Sequence, residues 1–366
     1  MRAVALLIGG LVVFLGASQD PPTGPARLSK NFSVDAAAVW TATKIELAPA
    51  ERLVFTATGS VRCPGMEEDT GPDGVSRGYR DLLRNLPFNS AGRGALIGRI
   101  GDDDVAQPFL VGAARDVTTA SGGLLSIGVN HTEKEPCSGT YSVHTEVFPP
   151  AAGSRRAVAT EVASLAGIDQ ELFKKIPRRI GDPQGNPGDM VNFLILGPEA
   201  AMQQTFTAAG WVKVDADIRG AILAGVLGSL SKESYVTMPM SLLYLFGRPQ
   251  DYGWAHAEPI KVVSSRHHLR IWKAPFQAGS AMLWVGAATH DIGFERDRRN
   301  NGITHKIDPA IDLERDYLRK TFLATGLVAE YTHVLPDNPL REATTATGGT
   351  FHSDGQVLVL KLVEKP

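Results

Sequence analysis

The chain has 366 residues, of which 43% are hydrophobic and 21% charged, and its formal net charge is −2. That length suits about two domains, and the composition is that of ordinary globular protein. A near-neutral balance gives no electrostatic basis for binding nucleic acid or an anionic membrane surface.

The first expected element is a secretory signal over residues 1–18. Arg2 supplies the positive start, residues 3–17 are apolar apart from glycines, and Gly16-Ala17-Ser18 offers small residues for cleavage. The run is short for the ~20 residues that a spanning helix needs. No comparable stretch follows, so the mature protein is expected in the periplasm or secreted, with no transmembrane span after cleavage. The cysteines, Cys63 and Cys137, form an even pair, which in an exported chain favours a disulfide.

Residues 30–148 read as short strands and turns. Strand runs at 53–59, 96–100, 108–112, 124–129 and 140–144 are bounded by glycine and aspartate, with a turn at Gly71-Pro72-Asp73-Gly74. This spacing predicts an all-β sandwich of jelly-roll type. Pro149-Pro150-Ala151-Ala152-Gly153-Ser154 ends the pattern and opens a linker over 149–189. Within it Val162, Leu165, Ile168, Leu172 and Ile176 recur at helical spacing, which predicts a helix over 158–176.

Residues 190–366 mix both periods. A buried strand is expected over 190–197, a helix from Pro198-Glu199 to about 209, and further helix over 216–229. A strand at 242–247 precedes a hairpin made of 266–273 and 281–289. Asp308-Pro309 then opens a helix, with aspartate as cap and proline at the first helical position, and Gly326 ends it. Strands over 328–334 and 356–363 close the chain. The order predicts an α+β domain with a mostly antiparallel sheet.

Seven of the nine histidines follow residue 250. In the hairpin, side chains alternate faces, so one of His267 or His268 shares a face with His290. His305 precedes the Asp308 helix. The candidate catalytic residues are therefore His267, His268, His290, His305 and Asp308. The candidate metal ligands are His290, His305 and Asp308, joined by a hairpin histidine; imidazole with carboxylate suits zinc, iron or manganese. Asp308, Asp312 and Asp316 lie four apart on one helix side, where like charges repel by ~0.2–0.5 kcal/mol per pair. Arg315, Arg319 and Lys320 offer the plain compensation. Arg248, Arg266 and Arg270 form a candidate anion-binding set, or else structural ion pairs with Asp251, Asp291 and Asp308. The sequence has no Gly-x-Gly-x-x-Gly, Walker loop or His-Glu-x-x-His.

Two resemblances add to this reading. Trp40-x-x-Thr43, residues 95–101 (ALIGRIG), Pro108-Phe109-x-Val111-Gly112, Ser121-Gly122-x-Leu124 and Ser138-Gly139-x-Tyr141-x-Val143 together resemble the PA-IL-like galactose-binding lectin domain. That family holds sugar through calcium bound by a late loop. Here the loop is residues 130–139 (NHTEKEPCSG), in which His131, Pro136 and Cys137 replace the family's aspartate and two asparagines. Calcium needs 6–8 oxygen ligands, so calcium in the first domain is not expected. The resemblance instead implies that Cys63 and Cys137 join two loops that the ion would otherwise hold.

Val191-Asn192-Phe193-Leu194, residues 243–251 (LYLFGRPQD), Arg266-His267-His268-x-Arg270-x-Trp272, Trp284-Val285-Gly286-Ala287-Ala288 and residues 304–316 (THKIDPAIDLERD) resemble the C-terminal domain of LssY-like proteins. This resemblance implies no particular reaction. The expectation is an exported cell-envelope or secreted binding protein whose partner is a glycan, a phosphorylated or lipid head-group ligand, or an envelope protein. The alternative is a metal-assisted or acid/base hydrolase with its site in the second domain and a divalent transition metal as cofactor.

Overall fold

The structure is a computed structural model. It describes residues 24–76, 86–88, 91–101, 106, 108–119, 122–151, 159–214, 240, 242–257, 265–296, 303–345 and 349–363. The signal segment and the helix expected over 216–229 lie outside the described residues.

The first half contains β1 (Leu28–Asp35), β2 (Thr41–Leu47), β3 (Arg52–Arg62), β4 (Leu96–Ile100), β5 (Phe109–Leu110), β6 (Ala114–Thr118), β7 (Gly123–Val129) and β8 (Ser138–Phe148). They form two four-stranded sheets, ordered β1-β8-β3-β6 and β2-β7-β4-β5, in which every pairing is antiparallel. β2 and β3 bury alternate side chains, as expected of strands with one face toward a core. Val34, Leu53, Phe55 and Tyr141 from one sheet meet Ile45, Leu96 and Ile127 from the other in a single cluster, which makes a β-sandwich.

Cys63 and Cys137 are bonded. The β3–β8 ladder ends with Arg62 opposite Ser138, so the next positions face each other across the sheet. Both cysteines are buried in the sandwich core. The bond joins the loop that follows β3 to the loop that precedes β8, as expected, at the end of that strand pair.

The second half contains β9 (Thr160–Glu161), α1 (Gln170–Lys174), β10 (Arg179–Gly181), β11 (Pro187–Met190), β12 (Phe193–Leu196), α2 (Glu199–Ala208), β13 (Val212–Val214), β14 (Tyr244–Leu245) and β15 (Arg248–Pro249). There follow β16 (Tyr252–Ala257), β17 (Ser265–Ala278), β18 (Ala281–Arg296), β19 (Ile303–Ile307), α3 (Asp312–Ala324), β20 (Val328–Val334), β21 (Glu342–Thr344), β22 (Thr350–His352) and β23 (Val357–Leu362). A nine-stranded sheet runs β13-β16-β17-β18-β12-β23-β20-β9, with β19 also paired to β18. It is mostly antiparallel; β12–β23 and β20–β9 are the parallel pairs.

Both faces of this sheet are covered. α2 and α3 bury Phe206, Leu318 and Phe322 against Ile195, Trp254 and Leu269 on one face. On the other, Leu172 and Phe173 of α1 and Leu245 of β14 pack on Leu194, Trp272 and Val285. Double coverage explains why all four residues of β12 are apolar and buried. Gly286 lies opposite Phe193, and a Cβ there would meet the Phe193 ring at 1.9 Å, so only glycine fits.

Three expectations change. The helix expected over 158–176 is confined to Gln170–Lys174. Thr160 and Glu161 instead pair with β20, Gly167 has φ of 78°, and Asp169 caps the short helix through Leu172 N at 2.8 Å. The apolar spacing marked core contacts, since Leu165, Leu172 and Ile176 all enter the second core. Residues 159–189, expected as a linker, are thus woven into the second half. The helix expected from Asp308 begins at Asp312. Ala310 bridges His352, and the Asp308 carboxylate accepts the Ala310 N–H in a turn, which holds 308–310 outside the helix. Gly326, at φ 65°, follows the helix end as expected. Among the described residues no helix is long and apolar enough to cross a membrane.

The disulfide closes a span of 74 residues. Replacing Cys63 and Cys137 by serine should therefore lower stability by roughly 2–4 kcal/mol. Denaturant unfolding of the oxidised chain and the double variant tests this. Coincident transitions would show that the bond does not constrain the sandwich.

Candidate functional site

Three strands carry a row of histidines. The register of β16, β17 and β18 places His256 opposite His267, and His267 opposite His290. Residues directly opposed in antiparallel strands share a face, so all three imidazoles stand on the face that α3 covers. The buried stripe of α3 comprises Glu314, Arg315, Tyr317, Leu318, Thr321 and Phe322. Spacings of three and four make this an amphipathic helix, and Glu314 is a carboxylate on its core side.

Glu314 is 2% exposed. Its Oε2 lies 2.5 Å from His267 Nδ1, while its Oε1 is buried with no hydrogen-bond partner. The His267 ring is held between two others: Tyr317 stacks at 3.6 Å and 7°, His290 at 4.2 Å and 11°. The Tyr317 hydroxyl lies 2.6 Å from His256 Nδ1. His267, His290 and Glu314 each bring one potential ligand atom to within 4.8 Å of the other two. His267 is buried and His290 half-buried, so the cluster runs from the core toward the surface.

A one-residue step reaches different chemistry on the opposite face. Here Arg266 faces Asp291, and His268 faces Thr289. Asp291 Oδ1 lies 2.9 Å from His268 Nε2, and its Oδ2 is 3.6 Å from Arg266. Arg270 is buried on this face. Its pKa is lowered chiefly by burial; Asp189 opposes this, Arg266 adds to it and Asp291 opposes it. Together these form a buried network of both signs.

The expected site residues thus divide. His267 and His290 come together; His268, Arg266 and Arg270 lie on the other face. Asp308 touches the row through its backbone, donating its N–H to the His290 carbonyl at 2.8 Å, while its carboxylate serves the turn to Ala310. His305 pairs with Phe294, four positions along β18 from His290. At about 3.4 Å per residue its backbone is well displaced along the strand from the row; its side chain lies outside the described portion. Arg248 is engaged by both oxygens of Asp251 at 2.8 Å; it lies on β15, in a separate sheet, and donates to the Lys273 carbonyl of β17. Asp312 accepts from Ser353, Asp354 N–H and Arg315, and Asp316 meets Arg315, Arg319 and His333, so the aspartate series is compensated by cations and backbone.

Glu314, Tyr317 and His256 were absent from the expected site. The signal for Glu314 was present: an acid three residues before Tyr317 and four before Leu318, inside the apolar stripe. His256 carries none, since residues 252–257 are not among the expected strands. A Gly-x-Ser-x-Gly spacing does occur, at Gly74-Val75-Ser76-Arg77-Gly78. Residues 74–76 are irregular, and Arg77 and Gly78 lie outside the described residues.

In the first half, Asn130 at the end of β7 spends its amide on Phe88, Ala91 and Gly92 carbonyls, and its oxygen accepts Phe88 N–H. His131 is buried, with Nδ1 2.8 Å from Thr132 O. These positions of the late loop are committed to shaping the protein's own backbone.

Fold and site together define a β-sandwich joined to an α+β domain with a buried histidine–carboxylate cluster under a helix. The chain belongs to the LssY C-terminus family, whose sequence profile matches residues 173–357. A comparison with curated proteins returned no match. Among solved structures, the chain is similar to the EclA N-terminal domain, a PllA-like lectin, at 23% identity over 32% of this chain and 95% of that one, with a TM-score of 0.25.

Burial, then the neighbouring His267, pushes the His256 pKa down from 6.5 to about 3, partly offset by the Ala209 backbone. The fold therefore holds His256 neutral. Its stabilising effect is complete above the unfolded value of 6.5 and is lost as pH falls toward 3. Between pH 7 and 5 the loss should be roughly 2 kcal/mol. Urea unfolding at both pH values should show a smaller loss in His256→Phe than in the parent. Equal losses would remove His256 as the acid-sensitive group.

Proposed function

We propose that this protein is an exported envelope or secreted binding protein, in which a sandwich over about 30–148 recognises a ligand and the LssY-type domain is its partner module. The observation that carries the reading is the separation of cores. The sandwich cluster runs from Val34 to Val147, whereas the clusters of the second half are drawn from residues beyond 158. A module with its own core can be joined to a domain and bind independently. The bonded cysteines support export, because disulfides persist in oxidising compartments.

The ligand classes this reading favours are a glycan, a phosphorylated or lipid head group, or an envelope protein. Binding through calcium in the lectin manner is not part of it: His131 is buried and Cys137 is bonded. The test uses the purified full-length chain on immobilised glycans and phospholipids, with and without chelator. Retention by one ligand class that survives chelation is the expected result. Calcium-dependent retention by galactosides would overturn the reading of the loop, and no retention by any class would sink the binding role.

A second reading, a metal-assisted or acid/base hydrolase, is favoured by the His267–Glu314 pair. A buried imidazole held on a carboxylate is an arrangement suited to proton transfer. Turnover of an arrayed ester or glycoside, lost in Glu314→Gln, would select it.

A further inference from the structure

We propose that His267, His290 and Glu314 form a binding site for one divalent transition-metal ion of the zinc, iron(II) or manganese class. The inference stands apart from the ligand-binding role of the sandwich and does not depend on it.

The first ground is geometry. Each residue offers a ligand atom, and the three atoms already lie within 4.8 Å of one another. Ligand atoms around a tetrahedral ion with bonds of ~2.0–2.2 Å sit about 3.3–3.6 Å apart. The 2.5 Å contact between His267 and Glu314 must open by about 1 Å as the ion replaces a shared proton, and the other edges, at most 4.8 Å, must close by no more than about 1.5 Å. His290 has to turn, since lone pairs of parallel stacked rings do not converge. It is the half-buried member, at the surface end of the cluster, so it can turn at the least cost in packing.

The second ground is the Glu314 carboxylate. A carboxylate 2% exposed is costly unless its charge is paired and its oxygens are bonded. Here Oε2 has His267, while Oε1 is buried and has no hydrogen-bond partner. Arg315, the adjacent cation, is directed to Asp312, Asp316 and Asp354. A single dication compensates the carboxylate and uses both imidazoles in neutral form, whereas two imidazolium rings stacked at 4.2 Å would repel each other.

The third ground is support. His267 is clamped in orientation by Tyr317, which is fixed in turn by its hydroxyl contact to His256. Partners that hold a ligand's orientation are a regular feature of metal sites. Three protein ligands leave a fourth position for water or a ligand, on the His290 side.

The full-length oxidised chain, stripped with chelator and dialysed against zinc, should retain about one equivalent by elemental analysis. Cobalt(II) at the same site should give the intense visible absorption of a low-coordinate ion. Glu314→Gln and His290→Ala should each weaken zinc binding more than about tenfold, a loss that removing even a supporting partner can bring. Glu314→Gln keeps the side-chain size and His290 is half-buried, and near-ultraviolet circular dichroism confirms that each variant is folded. Asp308→Asn should bind zinc like the parent. Failure of the parent to retain zinc or cobalt would overturn the proposal and leave a His267–Glu314 ion pair. Uptake unchanged in both variants, or lost equally in Asp308→Asn, would overturn it as well.

Discussion

The second half is organised around one constraint: a carboxylate has been placed on the core side of a helix and must be compensated there. Glu314 belongs to the stripe that also buries Tyr317, Leu318 and Phe322, so packing α3 on the sheet carries the acid inward. His267 meets it at 2.5 Å, and the ring is then held between Tyr317 and His290. A buried group of this kind costs stability unless every polar atom is matched. Its retention in the core of an amphipathic helix is therefore the observation most in need of a functional account.

The nine-stranded sheet separates two chemistries by one step along the chain. His267 meets a carboxylate from a helix; His268, its neighbour, meets Asp291 from the adjacent strand. The two networks differ in kind. The Asp291 side has arginines of like sign to share, with Arg266 at 3.6 Å and Arg270 nearby, and it ties β17 to β18. The Glu314 side has imidazoles instead. Arginine stays charged at all accessible pH and serves structure, whereas imidazole can ligate or exchange a proton.

The sandwich, the strand Val328–Val334 and the β17–β18 hairpin were visible from alternation and turn residues. Alternation also limited the partner of His290 to one of two neighbours. It could not choose the row, because the register shifts between Lys273 and Gln277. Counting back from the Gly279-Ser280 turn would set His290 against Leu269; the irregularity slides the pairing by two, which keeps the face but brings in His267. Pro275 lies in that irregular stretch, and proline, lacking an N–H for the ladder, is tolerated in strands at such breaks.

The acidic helix shows why local charge spacing was a poor guide to the site. Asp312 and Asp316 stand out by their regular interval, yet exposed or half-exposed positions can recruit arginine, serine and backbone N–H groups, as both do. Glu314 sits between them, irregular in the charge pattern but regular in the apolar one. Solvent compensates a surface carboxylate, and flexible neighbours do the rest; a core carboxylate has only the groups that the fold places opposite it. The charge worth following in an amphipathic helix is thus the one on the apolar stripe. Here that rule leads from Glu314 to His267, and through the strand register to His290 and His256, none of which is close to it in the sequence.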